Sequence, residues 1–145
     1  MAMTWASGPW VADTSAWARA AAAAVAPSWK IAAEGGDLVM CPIVTLELLY
    51  QSSDRDQVER TAAACAALRQ APVTRTVTDA ALTAVRELAS RGAAGSHRVR
   101  VPDALIAAAA AERGFGVLHY DHHFDRLAEV LAFESQWVAP PGTLS

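Results

Sequence analysis

The order of apolar runs and helical segments along the chain predicts an α/β fold with a central, mainly parallel sheet. Short apolar runs of strand length alternate with longer, alanine-rich segments of helical composition, which is typical of parallel strands joined by crossover helices. The chain has 145 residues, of which 53% are hydrophobic and 19% charged, as expected of one domain with a single core. Because crossover helices cover both faces of such a sheet, we expect three layers.

Four predicted elements occupy the first third of the chain. They are strand 10–13, helix 16–33 with a break at Pro27 and Ser28 and an end at Gly35 and Gly36, strand 38–41, and helix 43–50. The first strand ends on Asp13, and Thr14 and Ser15 carry hydroxyls suited to capping the next helix. Pro42 closes the second strand, and Glu47 is the only charged residue of the helix that follows.

The remaining elements continue the alternation. They are helix 53–70, strand 73–77, helix 79–91, a loop over 92–100, helix 102–113, strand 116–120, a short helix over 124–131 and a last strand over 136–138. Pro72 starts the third strand, and Thr78 is suited to cap the helix after it. Pro102 is a good first-turn residue and Gly114 a good terminator. Asp121 directly follows the fourth strand.

Charge and familiar motifs exclude several classes of function. The net charge is −3, with Lys30 the only lysine, so the chain lacks the basic surface that binds duplex nucleic acid. It contains no GxGxxG, GxxxxGK[ST], GxSxG or HExxH motif. Cys41 and Cys65 form no CxxC pair, and we expect them to be reduced core thiols. Because no secretory leader or membrane-length apolar run is visible, we expect a soluble protein in the cytoplasm.

Four acidic residues at the ends of predicted elements point to a metal site. Asp13 and Asp121 each follow a strand, and the carboxyl ends of parallel strands meet at one edge of a sheet. Asp103 opens a helix, and Glu47 lies on an otherwise apolar one. Converging carboxylates repel one another unless a cation neutralises them, and Mg²⁺ or Mn²⁺ prefers such oxygen ligands. The structural alternative is that Asp13 and Asp103 only cap helices.

These residues lie in four segments that resemble the PIN-domain ribonucleases, and among them the VapC toxins of toxin–antitoxin pairs. The segments are 11–16 (VADTSA), 44–49 (VTLELL), 101–108 (VPDALIAA) and 117–125 (VLHYDHHFD). The resemblance covers about residues 10–138 and implies a three-layer PIN-like fold. It implies that Asp13, Glu47, Asp103 and Asp121 bind Mg²⁺ or Mn²⁺, with Ser15 as a polar contributor to the site.

The same resemblance implies a function, partners and a domain division. The activity would be metal-dependent endoribonuclease activity that inhibits translation, with tRNA or ribosomal RNA as substrate. The partners would be a second copy of the chain and an antitoxin whose C-terminal segment lies in the acidic groove. The PIN domain would span residues 10–140, with an N-terminal extension over 1–9 and a tail over 141–145. Many relatives carry an acid where this chain has His123, so a second metal would bind weakly or not at all, and one-metal chemistry would remain possible.

Other interpretations concern the histidines, the arginines and the function as a whole. His119 and Asp121 lie two apart, so a transition-metal site with histidine ligands is one alternative, and a packed, hydrogen-bonded His119 is the other. Arg98 and Arg100 also lie two apart before Asp103, where they would hold RNA phosphates or be solvated. The alternative functions are a PIN-like binding module without turnover and, ranked last, a 5′-nuclease or phosphatase.

Overall fold

A computed structural model describes residues 4–92, 95 and 97–145, in which parallel strands and helices alternate. The elements are β1 (Trp10–Ala12), α1 (Thr14–Trp17), α2 (Ala26–Glu34), β2 (Leu38–Met40), α3 (Pro42–Tyr50), α4 (Arg55–Ala66), β3 (Arg69–Gln70), α5 (Arg75–Ser90), α6 (Val101–Arg113), β4 (Gly116–His119), α7 (His122–Leu127) and β5 (Ser135–Trp137). This order confirms the predicted α/β class.

The five strands form one sheet in the order β3-β2-β1-β4-β5, and every pairing between them is parallel. In the centre, Trp10 of β1 aligns with Leu38 of β2 on one side and with Gly116 of β4 on the other. Along the chain, β2 and then β3 are added on one side of β1, and β4 and then β5 are added on its other side. The carboxyl ends of β1 and β4 are neighbours at this reversal, which is where α/β sheets form their binding crevices.

Helices cover both faces of the sheet, as predicted, but the core is in two parts. On one face, Trp10 and Ala12 pack with Ala16 of α1 and Ala32 of α2. On the other face, Val11 packs in a larger cluster with residues of α3 to α7. The sheet itself separates these clusters, so the expectation of a single core is corrected to one apolar layer on each face.

The predicted third strand, 73–77, is wrong. Val73, Thr76 and Val77 are β-branched and favour a strand, but α5 begins at Arg75 and buries Val77 in a helical face with Leu88. The Thr74 hydroxyl caps this helix, accepting from the backbone N–H of Val77, and the predicted cap Thr78 lies inside it. The real third strand, β3, is two exposed polar residues, which give no apolar strand signal.

The single predicted helix 16–33 is also wrong. The structure has two helices there, α1 and α2, separated by turns over 18–25. The predicted break at Pro27 is instead in the first turn of α2, where proline is well tolerated because its missing N–H has no helical acceptor. The helix after Pro102 runs to Arg113 and ends at Gly114, whose φ of +71° favours glycine, as expected. The last helix and strand begin slightly earlier than predicted, at His122 and Ser135.

Both cysteines are free and buried, as predicted. Trp5 packs against the cluster around Trp10, and its Nε1 donates to the carbonyl oxygen of Val138 at 3.3 Å.

Two parts of the sequence lie outside the described residues. They are residues 93, 94 and 96 of the predicted loop 92–100, and residues 1–3 of the predicted N-terminal extension. The division into residues 1–9, 10–140 and 141–145 stays a prediction. No helix among the described residues is long and apolar enough to cross a membrane.

Candidate active site

The four predicted acids come from four elements that meet at the reversal of strand order. Asp13 is the residue after β1 and the N-cap of α1. Asp121 is likewise the N-cap of α7 and follows β4 by one intervening residue, Tyr120. Asp103 lies in the first turn of α6, and Glu47 lies in the middle of α3. We name these four residues the acidic site.

Asp13 is a buried carboxylate, with only 2% of its surface exposed. Its Oδ1 accepts hydrogen bonds from the backbone N–H of Ala16 at 3.0 Å and from the hydroxyl of Ser15 at 2.7 Å. Burial raises the pKa of Asp13 to about 7; the two hydrogen bonds oppose this rise and the nearby Asp103 carboxylate adds to it. Asp13 thus caps α1, as the structural alternative expected, whereas the predicted caps Thr14 and Ser15 do not.

Two hydroxyls after β1 hold the surrounding groups in place. The Ser15 hydroxyl donates to Asp13 and accepts from the backbone N–H of Tyr120 at 2.8 Å, so it joins the ends of β1 and β4. The Thr14 hydroxyl donates to Oε1 of Glu47 at 2.8 Å. Ser15 thus lies behind the acidic site, and Thr14 orients Glu47 across it.

Asp103 is even more buried than Asp13, with 1% exposed, and it pairs with His123. The two approach to 3.0 Å between Oδ2 and Nδ1. Burial raises the pKa of Asp103, an effect that His123 and Arg100 oppose and that Asp121 increases. Ligand atoms of Asp103, Asp121 and His123 lie within 4.8 Å of one another, close enough to share one cation. In the sequence, His123 stands where many relatives carry an acid, and it also lies in the segment considered for a transition-metal site with histidine ligands.

Arg100 brings a positive charge into the acidic site. Its Nη2 donates to Oε2 of Glu47 at 2.9 Å, and its Nη1 lies 3.9 Å from Oδ1 of Asp103. Its backbone N–H also donates to Nδ1 of His123 at 3.1 Å. Arg98, the other predicted phosphate ligand, is exposed, and its backbone N–H donates to the carbonyl oxygen of Gly95. The structure thus brings Arg100 to the acids, whereas Arg98 joins them through none of the described contacts.

A second polar cluster lies beside the acidic site; we name it the histidine network, and it comprises His119, Asp125, Ser135 and Trp137. His119 is fully buried, and its Nδ1 accepts from the backbone N–H of Asp121 at 3.2 Å. Its Nε2 therefore carries the proton and donates to the Ser135 hydroxyl at 2.6 Å. That hydroxyl donates to Oδ1 of Asp125, whose Oδ2 accepts from Nε1 of Trp137.

These contacts decide between the two interpretations of His119. Both ring nitrogens are engaged within the protein, so His119 is the packed, hydrogen-bonded residue and is not available as a metal ligand. Burial lowers its pKa to about 4, which keeps the ring neutral at pH 7. The partners Asp125, Ser135 and Trp137 were not found from the sequence. Ser135 and Trp137 reach His119 through the pairing of β5 with β4, and Asp125 joins them from α7.

The sequence was compared with protein families, and the model of the PIN domain matches residues 11–130. The chain belongs to the PIN domain family. Ribonuclease VapC18 of Mycobacterium tuberculosis is 35% identical over 132 residues, which cover 91% of this chain and 96% of the relative. This PIN domain is thus similar to a curated ribonuclease along nearly its whole length.

Solved structures agree with the fold. DNA-bound VapBC from Salmonella typhimurium matches with a TM-score of 0.67 and 16% identity, over 90% of this chain and 98% of that chain. VapBC-5 of Mycobacterium tuberculosis, a member of the VapBC family of toxin–antitoxin systems, matches with a TM-score of 0.53 and 23% identity, over 69% of this chain and 81% of that chain. At these identities the matches support the three-layer PIN fold.

Proposed function

We propose that this PIN domain is a metal-dependent endoribonuclease that acts as the toxin of a toxin–antitoxin pair and inhibits translation. The observation that carries the proposal is the meeting of two buried carboxylates, Asp13 and Asp103, with Asp121 at the reversal of strand order. Its support from other proteins is the similarity to Ribonuclease VapC18 over nearly the whole chain.

The side chains of the acidic site fit a divalent cation. Desolvation of Asp13 and Asp103 leaves negative charge that water cannot solvate, and a cation held by both would offset it. We propose Asp13, Asp103, Asp121 and Glu47 as its ligands, with His123 completing the set. Carboxylate oxygens favour Mg²⁺ or Mn²⁺, and the imidazole in place of a further acid favours a single ion. When bound, such an ion lowers the pKa of water and offsets phosphoryl charge.

The remaining residues of the site have separable proposed roles. Glu47 can accept a proton or orient a water, because it lies at the solvent side of the site with 21% of its side chain exposed. Arg100 is placed to hold a phosphate oxygen beside it, and we retain Arg98 as a second, outer phosphate contact. Ser15 keeps Asp13 and the end of β4 in register through its two hydrogen bonds.

The proposed partners are an antitoxin, a second copy of the chain, and RNA. The solved VapBC structures that this chain resembles come from a toxin–antitoxin family. An antitoxin arginine entering the acidic site would neutralise the same carboxylates as the metal and displace it, which is a physical basis for inhibition. The proposed substrates are tRNA or ribosomal RNA, met in the cytoplasm.

The second candidate is a PIN-like binding module without turnover. It is favoured by one observation: Arg100 already pairs with Glu47, so part of the acidic charge is neutralised within the chain. Such a module would bind RNA or protein without cutting RNA.

The experiment that separates the two candidates is cleavage of a mixed small-RNA pool by the purified chain with Mg²⁺, with Mn²⁺ and with EDTA. We expect discrete cuts that need the metal and that Asp13→Asn abolishes. The matched control is Asp54→Asn. Asp54 is also an N-cap aspartate, but it is exposed, caps α4 and is not part of the acidic site. Cleavage that survives in Asp13→Asn, or that is lost equally in Asp54→Asn, contradicts the proposed site.

A further inference from the structure

A strip of aromatic rings with an arginine at one end lies directly beside the acidic site; we name it the aromatic strip, and it comprises Arg19, Tyr120, His122 and Trp137. Tyr120 and His122 are the immediate chain neighbours of Asp121, and Trp137 comes from the adjacent strand β5. The roles proposed above for the acidic site use none of these four side chains.

The four side chains form a continuous series of contacts. The guanidinium carbon of Arg19 lies 4.3 Å from the centre of the Tyr120 ring. The Tyr120 and Trp137 rings meet edge to face at 5.4 Å, and the His122 and Trp137 rings do so at 5.0 Å. His122 is exposed, whereas Arg19, Tyr120 and Trp137 are half-buried, so the series borders solvent along its length.

The strip is held in place from behind. The indole Nε1 of Trp137 donates to Oδ2 of Asp125 at 3.0 Å, and the Tyr120 hydroxyl accepts from the backbone N–H of Leu144 at 2.8 Å. Little side-chain conformational entropy is therefore lost when a ligand stacks on the Tyr120 or Trp137 ring, which favours binding.

Arg19 is positioned by its contact with the Tyr120 ring and not by an acidic side chain. Its Nη1 donates to the carbonyl oxygen of Ser15 at 2.9 Å, and its Nε meets no acceptor among the described residues. Within the described part of the chain its guanidinium is thus a positive charge without an ion pair, on the α1 side of Asp13. Guanidinium planes, like aromatic rings, stack on nucleobases, and they also bind phosphates.

We propose that the aromatic strip binds unpaired RNA bases next to the phosphate that the acidic site cleaves. This inference deepens the proposed ribonuclease function and rests on it. The chain is acidic overall and has one lysine, so backbone electrostatics alone supply little affinity for RNA. Stacking supplies affinity without net charge, but only for bases that are not already stacked in a duplex. Binding at the strip therefore requires a single-stranded segment or loop with exposed bases.

The test is binding of a fluorescein-labelled oligoadenylate decamer in EDTA, where no metal-dependent cleavage occurs. An abasic decamer and a blunt RNA duplex are the comparison ligands. We expect the decamer to bind the wild-type chain more tightly than either. Tyr120→Leu and the exposed His122→Ala should each weaken it roughly fivefold to a hundredfold, and Arg19→Gln roughly fivefold. The abasic decamer should not distinguish the Tyr120 and His122 variants from the wild type.

Two matched controls lie away from the strip. Tyr50→Leu removes an exposed tyrosine of α3, and Arg75→Gln removes an arginine of α5 whose side chain is 93% exposed. Both should leave decamer binding unchanged. Circular dichroism of each variant checks folding, and His122→Ala keeps the test decisive if Tyr120→Leu does not fold, because His122 is exposed.

The outcomes separate this inference from the proposed function. Equal binding of the decamer to the wild type and to His122→Ala, or equal binding of the abasic decamer, overturns the strip as a base-binding site. If metal-dependent cleavage also persists in that case with an unchanged KM, the ribonuclease function stands without the strip. Strip-dependent binding by a chain that cuts no RNA in Mg²⁺ or Mn²⁺ supports the base-binding site and contradicts the proposed function.

Discussion

The acidic site and the histidine network lie side by side at the carboxyl end of β4. Each contains buried ionisable side chains, but the two clusters differ in how those side chains are partnered. In the histidine network, both ring nitrogens of His119 and both oxygens of Asp125 have partners. In the acidic site, Asp13 is desolvated beside another carboxylate, and burial outweighs its hydrogen bonds in setting its pKa.

This difference is the basis for assigning support of the fold to the histidine network and the proposed chemistry to the acidic site. A buried polar network with every partner in place stabilises one geometry. A buried carboxylate without a matching cation destabilises the folded chain and is retained where a ligand supplies the missing charge. The histidine network thus positions the end of β4, whereas the acidic site gathers the negative charge that the proposed cation would offset.

The largest expected effect is a gain in stability when Asp13 is neutralised. The folded-state pKa of Asp13 is raised from 3.8 to about 7, so stability is present below 3.8 and is lost as pH rises towards 7. In EDTA at pH 8, we expect Asp13→Asn to raise the free energy of unfolding by about 2–4 kcal/mol. In Mg²⁺ the same variant should not cleave RNA. Urea unfolding at pH 8 and pH 5 measures this gain, which should shrink at the lower pH.

Asp54→Asn is the control for the helix cap, because asparagine and aspartate cap about equally well. It should change the free energy of unfolding by less than about 0.5 kcal/mol. Added Mn²⁺ should raise the Tm of the wild type and not that of Asp13→Asn. A destabilised Asp13→Asn at pH 8 would show that the carboxylate is a structural group like those of the histidine network.

The second effect has the opposite dependence on pH. Because burial lowers the folded-state pKa of His119 from 6.5 to about 4, its contribution to stability is complete above pH 6.5 and is lost as pH falls towards 4. We expect a loss of about 3 kcal/mol over this range. His119→Gln should lack this part of the acid sensitivity in urea unfolding. A His119 ring signal that titrates near pH 6.5 by NMR contradicts the assignment.

The third effect tests whether the histidine network is complete. Ser135→Ala removes the hydroxyl between His119 and Asp125. The buried Nε2–H of His119 then lacks its acceptor, whereas the carboxylate of Asp125 is exposed and can be hydrated. Such a loss costs about 1–3 kcal/mol, and we expect about 2 kcal/mol by urea unfolding. The control Ser90→Ala removes an exposed hydroxyl that donates to Glu87 within its own helix, and should be nearly neutral. Equal stability of the two variants means that the network is not a stabilising unit.

The two clusters also differ in how far the sequence predicts them. Asp13 and Asp121 were expected together because each follows a continuous apolar strand, and parallel strands bring their carboxyl ends to one edge. The structure confirms this placement. The position of Asp103 beside them required the resemblance to PIN domains, since nothing in its own helix pattern points to another element.

The histidine network was invisible in the sequence for a physical reason. His119, Ser135 and Trp137 are brought together by the register of β4 and β5, in which His119 aligns with Trp137, and that register is set by packing of the whole sheet. Asp125 joins them from α7. The ion pair of Arg100 with Glu47 likewise joins residues 53 positions apart. The wrong strand at 73–77 has a local cause, because β-branched residues indicated a strand where amphipathic packing favours a helix.

The smallest expected effect concerns Arg98 and Arg100, for which the sequence predicts the same role. Arg100 already contacts Glu47 and Asp103, whereas Arg98 is exposed. We expect Arg100→Gln to raise the KM for RNA by about tenfold, since one charged hydrogen bond to phosphate is lost.

We expect Arg98→Gln to raise KM less, because a solvent-exposed charge is screened. Steady-state cleavage at two salt concentrations measures both variants, and the effect of Arg98→Gln should fade at the higher one. Removing Arg100 also leaves Glu47 without its cation, so Arg100→Gln should bind Mn²⁺ more tightly in calorimetry even though its RNA affinity falls. Weaker Mn²⁺ binding in Arg100→Gln would mean that Arg100 helps to assemble the acidic site, as the histidine network does, and does not compete with the metal.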